Sequence, residues 1–279
     1  MGRLSLQFEY DARSARTRLN VIGQEQPLKV VRAFHVAHGG VLVHLHNLSG
    51  GVLGGDRLTS CWEVGPAAHA QLTSTGATRI YRSRPGTGPA RSSCRIQVRE
   101  DALIEYLPDP LIPFAGAVYE QQTVIDLDRG AGLFWWETVA PGREARGELF
   151  SYDALKLEFE LRAQQQPVAI ERNLLAPLVR PMASSARLGC FRYFSSFYIC
   201  RVGTGDATWR ALEKQLLDIT NRLSSPVITW GLSRLPAHGF VVRALSLTGR
   251  EIAAGLVEYW QAAKQMLYGY DAVIPRKIY

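Results

Sequence analysis

The sequence predicts a mainly β protein: a layered antiparallel or solenoid-like β architecture followed by a small C-terminal β-α module containing two helices. Three observations carry that prediction. Apolar residues alternate with a period of two from the start to about Arg201, turn residues punctuate that region at short intervals, and the period changes to that of a helix after Gly203. Leu4, Leu6, Phe8 and Tyr10 give the first strand, and Val41, Val43 and Leu45 alternate with Leu42, His44 and His46. Cys94, Ile96 and Val98 alternate with Arg95, Gln97 and Arg99. Leu155, Leu157, Phe159 and Leu161 oppose Lys156, Glu158 and Glu160, which makes a half-buried strand. Gly39-Gly40, Gly65-Pro66, Arg84 to Pro89, Asp128-Arg129-Gly130 and Pro141-Gly142 supply the turns. Trp209, Leu212, Leu216, Ile219 and Leu223 then fall at helical spacing between Asp206, the expected N-cap, and Pro226. Two strands follow in 227–247, and Thr248 to Glu251 is a capping-box pattern that opens a helix lined by Ile252, Leu256, Trp260, Ala263 and Leu267 and ended by Gly269. The division expected is a β-rich scaffold domain over 1–201 and a helix-strand-strand-helix module over 202–279 packed on it.

The 279 residues are 47% apolar and 20% charged, which excludes disorder as the main state. No stretch reaches the roughly 18 to 20 uncharged apolar residues of a membrane helix, and the opening alternation lacks a signal-peptide core, so the expectation is a cytoplasmic protein away from membranes. The net charge of +7 is Arg charge: of 32 basic residues five are Lys, leaving 27 Arg. Guanidinium suits protein interfaces and carboxylate pairing as well as nucleic acid, and the Arg residues are scattered without interleaved stacking aromatics, so no nucleic-acid partner is expected. Cys61, Cys94, Cys190 and Cys200 contain no C-x-x-C pair and are expected to be reduced core residues.

Several segments carry chemistry. Gly50-Gly51-Val52-Leu53-Gly54-Gly55-Asp56 has four glycines in six positions but lacks the Lys-Ser/Thr of a P-loop, so it reads as a tight connection between strands. Its terminal carboxylate, Asp56, is the residue left to explain. His44 and His46 share a strand face, which fits either a solvated face or two imidazole ligands for a divalent metal. Glu105, Glu137, Glu148 and Glu171 sit among apolar residues, where a carboxylate is costly unless paired, and Arg143, Arg146 and Arg172 are near in sequence as partners. Two such carboxylates could instead serve a β-sandwich glycoside hydrolase with Trp135 and Trp136 stacking a sugar. Leu107 to Ala117 holds Pro108, Pro110 and Pro113 around Leu111, Ile112 and Phe114, too rigid for a central strand and suited to a buried crossing or a partner-facing surface.

Taken together, Ser49 to Leu58, Leu72 to Ser83, Glu105 to Ala117 and Gly142 to Glu148 resemble, in order and spacing, the UreD (UreH) family of urease accessory proteins. The resemblance covers most of residues 3–180. The chain departs from the family at His46-Asn47-Leu48, where a His-Pro-Pro is usual, and after Ile274-Pro275-Arg276, where Lys277-Ile278-Tyr279 replaces the usual Trp.

The resemblance implies a non-catalytic scaffold that binds apo-urease subunits and, with UreF and the GTPase UreG, enables nickel insertion. It implies a heterocomplex, with dimerisation through UreF as a further expectation, and no tightly bound cofactor beyond transient Ni2+. An internal path for an exchanging ion calls for oxygen ligands, because imidazole and thiolate hold nickel too firmly. Asp56, Glu137, Glu148 and Glu171 occupy positions where family members carry acids, with Thr73, Ser74 and Thr75 as channel-lining candidates and His44 and His46 as weaker ligand candidates. Pro108, Pro110, Ile112, Pro113 and Phe114 are candidate contacts for UreF or urease, together with the C-terminal helices.

Overall fold

A computed structural model describes residues 1–274 of the chain. The Lys277-Ile278-Tyr279 tail and the Pro275-Arg276 pair lie outside the described residues. In chain order the elements begin with β1 (Gly2–Asp11), β2 (Arg16–Glu25), β3 (Leu28–His35), β4 (Val41–Asn47), β5 (Arg57–Val64) and β6 (His69–Ser74). They continue with β7 (Thr78–Ile80), β8 (Ala90–Val98), β9 (Leu103–Tyr106), β10 (Leu111–Pro113), β11 (Val118–Leu127) and β12 (Gly132–Val139). The last are β13 (Ala154–Ala163), β14 (Gln166–Leu175), β15 (Tyr193–Arg201), α1 (Asp206–Leu223), β16 (Ile228–Arg234), β17 (Gly239–Ser246) and α2 (Gly249–Tyr268).

The strands form two sheets. One has seven strands in the order β14-β13-β11-β8-β5-β1-β2; the other has ten, with β16-β17-β15-β12-β9-β6-β4-β3 in line, β10 beside β12 and β7 beside β10. From β4 onward the chain alternates between sheets, β4 to β5, β6 to β8, β9 to β11, β12 to β13, and each circuit lays a parallel strand against the last. This is the solenoid-like form of the expectation. The pairing inside each sheet is parallel, and the antiparallel pairs β1-β2, β13-β14, β3-β4, β12-β15, β15-β17 and β16-β17 lie at its margins. β16 and β17 join the ten-stranded sheet through β15, while α1 and α2 cover its outer face.

The period of two decides what lies on each side of the ten-stranded sheet. Val41, Val43, Ala70, Leu72, Ile104, Leu133 and Trp135 point between the sheets and meet Leu4, Leu6, Phe8, Trp62, Ile96 and Ile125. Leu103, Phe134, Trp136, Phe197, Ile199 and Phe240 point outward, where Trp209, Leu212 and Leu216 of α1 and Ile252, Leu256 and Trp260 of α2 bury them. The helices therefore roof a sheet that already has one buried face. α1 begins at Asp206 with Gly205 as the N-cap, one residue before the position expected, because the Asp206 carboxylate is engaged with Arg210 and Arg234. α2 keeps its expected boundaries: Thr248 is the N-cap with its hydroxyl on Glu251, and Gly269 ends it at φ 70°.

The glycine-rich connection is structural, as read. A Cβ on Gly51 would lie 2.5 Å from the Tyr81 ring and 2.6 Å from the Arg79 carbonyl, so the backbone can pass only without a side chain. Val52 then bridges Ile80 through two backbone hydrogen bonds, Val52 N to Arg79 O and Tyr81 N to Val52 O, at 2.8 Å each. The proline-rich segment corrects an expectation. It contains β10, which pairs in parallel with β7 at Leu111, Ile112 and Pro113 and with β12 at Leu111. This three-residue strand, which follows Pro110 and ends on Pro113, can enter a sheet because Leu111 and Ile112 keep their N–H groups and the missing donors fall at its ends. The cysteines are free, but Cys61 and Cys190 are exposed; only Cys200 is fully buried.

Candidate functional site

The interior between the sheets is apolar at its centre and polar toward one end. There Glu137 follows Trp135 on the inward face of β12, opposite Gln121 of β11 in the other sheet. Gln121 Nε2 donates to Glu137 Oε1, and the Tyr119 hydroxyl donates to Gln121 Oε1 at 3.0 Å, so a relay of three polar side chains spans the gap. Burial pushes the Glu137 carboxyl up to about 7; the Gln121 hydrogen bond works against that rise and the negative charge of Glu171 adds to it. Glu137 lines two adjoining cavities. One, of about 140 Å3, also holds Asp109, Ser74 and Gln121; the other, of about 30 Å3, holds Glu171, Asn173, Ser196 and Tyr198.

Glu171 is anchored by donors. The Tyr198 hydroxyl gives a 2.5 Å hydrogen bond to Oε2, Asn173 Nδ2 gives 3.0 Å to Oε1, and Ser196 Oγ and Arg243 Nη2 stand 3.4 Å away. Arg243 is mostly exposed and the Glu171 side chain is 18% exposed, so this carboxylate faces the outside at one edge and the cavity on the other. Burial and the neighbouring Glu171 charge raise the Tyr198 hydroxyl well above its ordinary range and keep it a donor. Asp109, Glu137 and Glu171 thus line two adjoining cavities. They are weak-field oxygen donors of the kind that can exchange a hydrated divalent ion.

The other residues marked by sequence fall elsewhere. Asp56 Oδ2 accepts the Leu53 N–H at 2.9 Å and its own N–H reaches Leu53 O at 3.0 Å, so its carboxylate closes the turn. Glu148 is held by Arg143 and also accepts the Ala115 N–H at 3.2 Å; the Arg143 guanidinium keeps its carboxyl below the usual range. Ser74 lines the larger cavity and accepts the Asp109 N–H at 2.8 Å. Thr73 is on the opposite face of β6, its hydroxyl donating to Leu107 O at 2.7 Å, and Thr75 lines neither cavity. His46 borders the larger cavity, whereas His44 lies on the outer face of β4, edge-on to Phe34. Burial lowers the His46 imidazole, assisted by His44 and Lys29. Among the described residues no three His, Cys, Asp or Glu side chains are grouped to hold a metal ion. Pro108, Pro110, Ile112 and Phe114 are half-buried and Pro113 is buried.

The UreD urease accessory protein family model matches residues 1–278. The chain belongs to that family. It is 44% identical over 279 residues to the urease accessory protein UreD of Herpetosiphon aurantiacus, covering all of this chain and 96% of that protein. It is 32% identical to the UreD of Pseudomonas fluorescens over 97% of this chain and 92% of the relative, and 37% identical to that of a Nostoc species over 99% and 94%. Glycoside hydrolysis finds no support in this UreD-family chain. Glu137 and Glu171 adjoin cavities of about 140 and 30 Å3, and Trp135 is packed against Tyr106 and Phe159 while Trp136 is packed against Phe197 and Trp260.

Sequence reasoning missed the partners of these carboxylates. Gln121 and Tyr198 are polar residues at inward positions of β11 and β15, which the alternation alone could have marked. A second cluster lies on the outer face. Glu105 is fully buried; its Oε1 accepts from His69 Nε2 at 2.5 Å and Lys264 Nζ at 2.8 Å, and its Oε2 accepts from Trp260 Nε1 at 2.6 Å. Burial alone would raise the Glu105 carboxyl, but the hydrogen bonds and positive charge of His69 and Lys264 outweigh it, and the carboxyl stays below its usual range. The cluster fastens α2 to β6 and β9. Among the described residues no helix is long and apolar enough to cross a membrane.

Proposed function

We propose that this chain is a non-catalytic cytoplasmic scaffold of urease maturation, assembled in a heterocomplex with apo-urease, UreF and the GTPase UreG, and that Ni2+ is its transient cargo. The observation that carries the nickel part of the proposal is the pair of adjoining cavities that share Glu137. A carboxyl with its pKa near 7 is half protonated at neutral pH, so an arriving cation displaces a proton from Glu137 and a departing one returns it. Oxygen ligands on Asp109, Glu137 and Glu171 bind such an ion weakly enough to release it, with Gln121 holding Glu137 and Tyr198 and Asn173 holding Glu171 beside the more exposed Arg243. GTP hydrolysis belongs to the partner, since the glycine-rich turn here is filled by Tyr81 and Thr87 and lacks a phosphate-binding lysine.

The experiment is co-expression with urease subunits, UreF and UreG, with and without this chain, reading nickel per urease active site and complex assembly. Loss of nickel and of assembly on omission supports the scaffold. Normal nickel loading without the chain contradicts it.

A further inference from the structure

On the outer face of the ten-stranded sheet, past the end of the helical roof, lies a cavity of about 570 Å3, within the size range of small-molecule sites and separate from the inter-sheet cavities. Its walls are largely apolar, with Phe34, Leu42 and Ile274 among them. Its floor is not. Along one register row Phe34 faces Leu42, Leu42 faces Gln71 and Gln71 faces Glu105, so an amide and a carboxylate interrupt an otherwise apolar row.

Two donors on the floor have hydrogen-bonding capacity to spare. Gln71 is 2% exposed and its Nε2 has no hydrogen-bond partner among the described residues. Lys264, 6% exposed, also lines the cavity and spends one N–H on Glu105. Gln71 Nε2 makes no hydrogen bond to Glu105, whose two oxygens take hydrogen bonds from His69, Lys264 and Trp260. A buried donor left unpaired costs on the order of 1–3 kcal/mol, which a ligand oxygen placed there would recover. The ammonium beside it favours an anionic oxygen over a neutral one. Among the described lining residues the sole acidic side chain, Asp271, is exposed and solvent-screened, while Glu105, behind the lining, takes one of the Lys264 N–H groups.

We propose that this cavity is a binding site for a small aliphatic carboxylate, its carboxylate on Gln71 Nε2 and Lys264 Nζ and its chain against Phe34, Leu42 and Ile274. The site is independent of the nickel reading.

The test is calorimetric titration of the full chain with octanoate, octanol and octylammonium. Saturable one-to-one binding of octanoate is expected, at least tenfold tighter than octanol, with octylammonium weaker still. Gln71→Leu, which keeps the volume and suits the apolar row, is expected to weaken octanoate at least tenfold and to leave octanol unchanged. Since Lys264→Met alone would strand the Glu105 charge, the charge contribution is read in the Lys264→Met/Glu105→Gln pair, which is expected to abolish the preference for octanoate over octanol. Equal binding of the three probes, or octanoate binding that Gln71→Leu does not change, would overturn the site; so would absence of saturable binding to the wild-type chain.

Discussion

Glu137 combines an inward position on β12 with a carboxyl held near pH 7 and a glutamine from the other sheet. The folded chain binds its proton more firmly than the unfolded chain, whose value is near 4.5. The sign follows: stability attributable to this group is full below about 4.5 and is lost as pH rises toward 7, by roughly 1–3 kcal/mol once partial exposure is allowed for. Glu137→Gln should therefore be more stable than wild type at pH 8 and lose that advantage at pH 4.5, measured by urea unfolding at both values. The buried Lys264–Glu105 pair behaves oppositely when one member is removed. Lys264→Met should cost about 3–5 kcal/mol by leaving Glu105 charged and buried, and Lys264→Met/Glu105→Gln should recover most of it. Glu105 was legible as a buried acid, and Glu137 and Glu171 as half-buried ones, from their apolar neighbours, whereas Asp56 was not legible as a turn carboxylate because its acceptor role depends on the loop's backbone path. Lys264 hid in plain sight: it falls four residues after Trp260 and three before Leu267, on the buried face of α2.

The elements show a similar division. Alternation located β1, β4, β8 and β13, and the helical period located α1 and α2, because each records which face is buried. It could not tell parallel from antiparallel pairing, since the period of two is common to both and only the circuit between sheets decides. Nor could it find β10, whose partners β7 and β12 are remote in sequence and whose prolines argue against a strand. Packing also overrides propensity in α2. Alanine at a helix interior is ordinarily better than glycine by about 1 kcal/mol, but a Cβ on Gly255 would stand 2.2 Å from Trp230 Cζ2 in β16. Gly255→Ala should accordingly destabilise the chain by about 1–3 kcal/mol, with the near-ultraviolet signal of Trp230 altered, as read by thermal melts and circular dichroism.

At the scale of the molecule, the parallel circuits place a polar pocket between two sheets while the helices seal the far face, so the inner cavities and the outer roof are built by opposite sides of the same strands. Three exposed apolar side chains stand at another margin: Leu174 on the edge strand β14 is 66% exposed, and Leu178 and Val179 just beyond it are 75% and 78% exposed. Exposed apolar side chains at a sheet edge suit protein contact. Leu174→Asp/Leu178→Asp should leave the unfolding midpoint nearly unchanged and weaken capture of the chain by UreF or apo-urease in pull-downs. The central claim, that Glu137 and Glu171 mark a passage for nickel, is tested most directly by the Glu137→Gln/Glu171→Gln chain co-expressed with urease, UreF and UreG, counting nickel per urease active site. The account predicts a severalfold loss of nickel in complexes that still assemble; wild-type nickel in those complexes would contradict it.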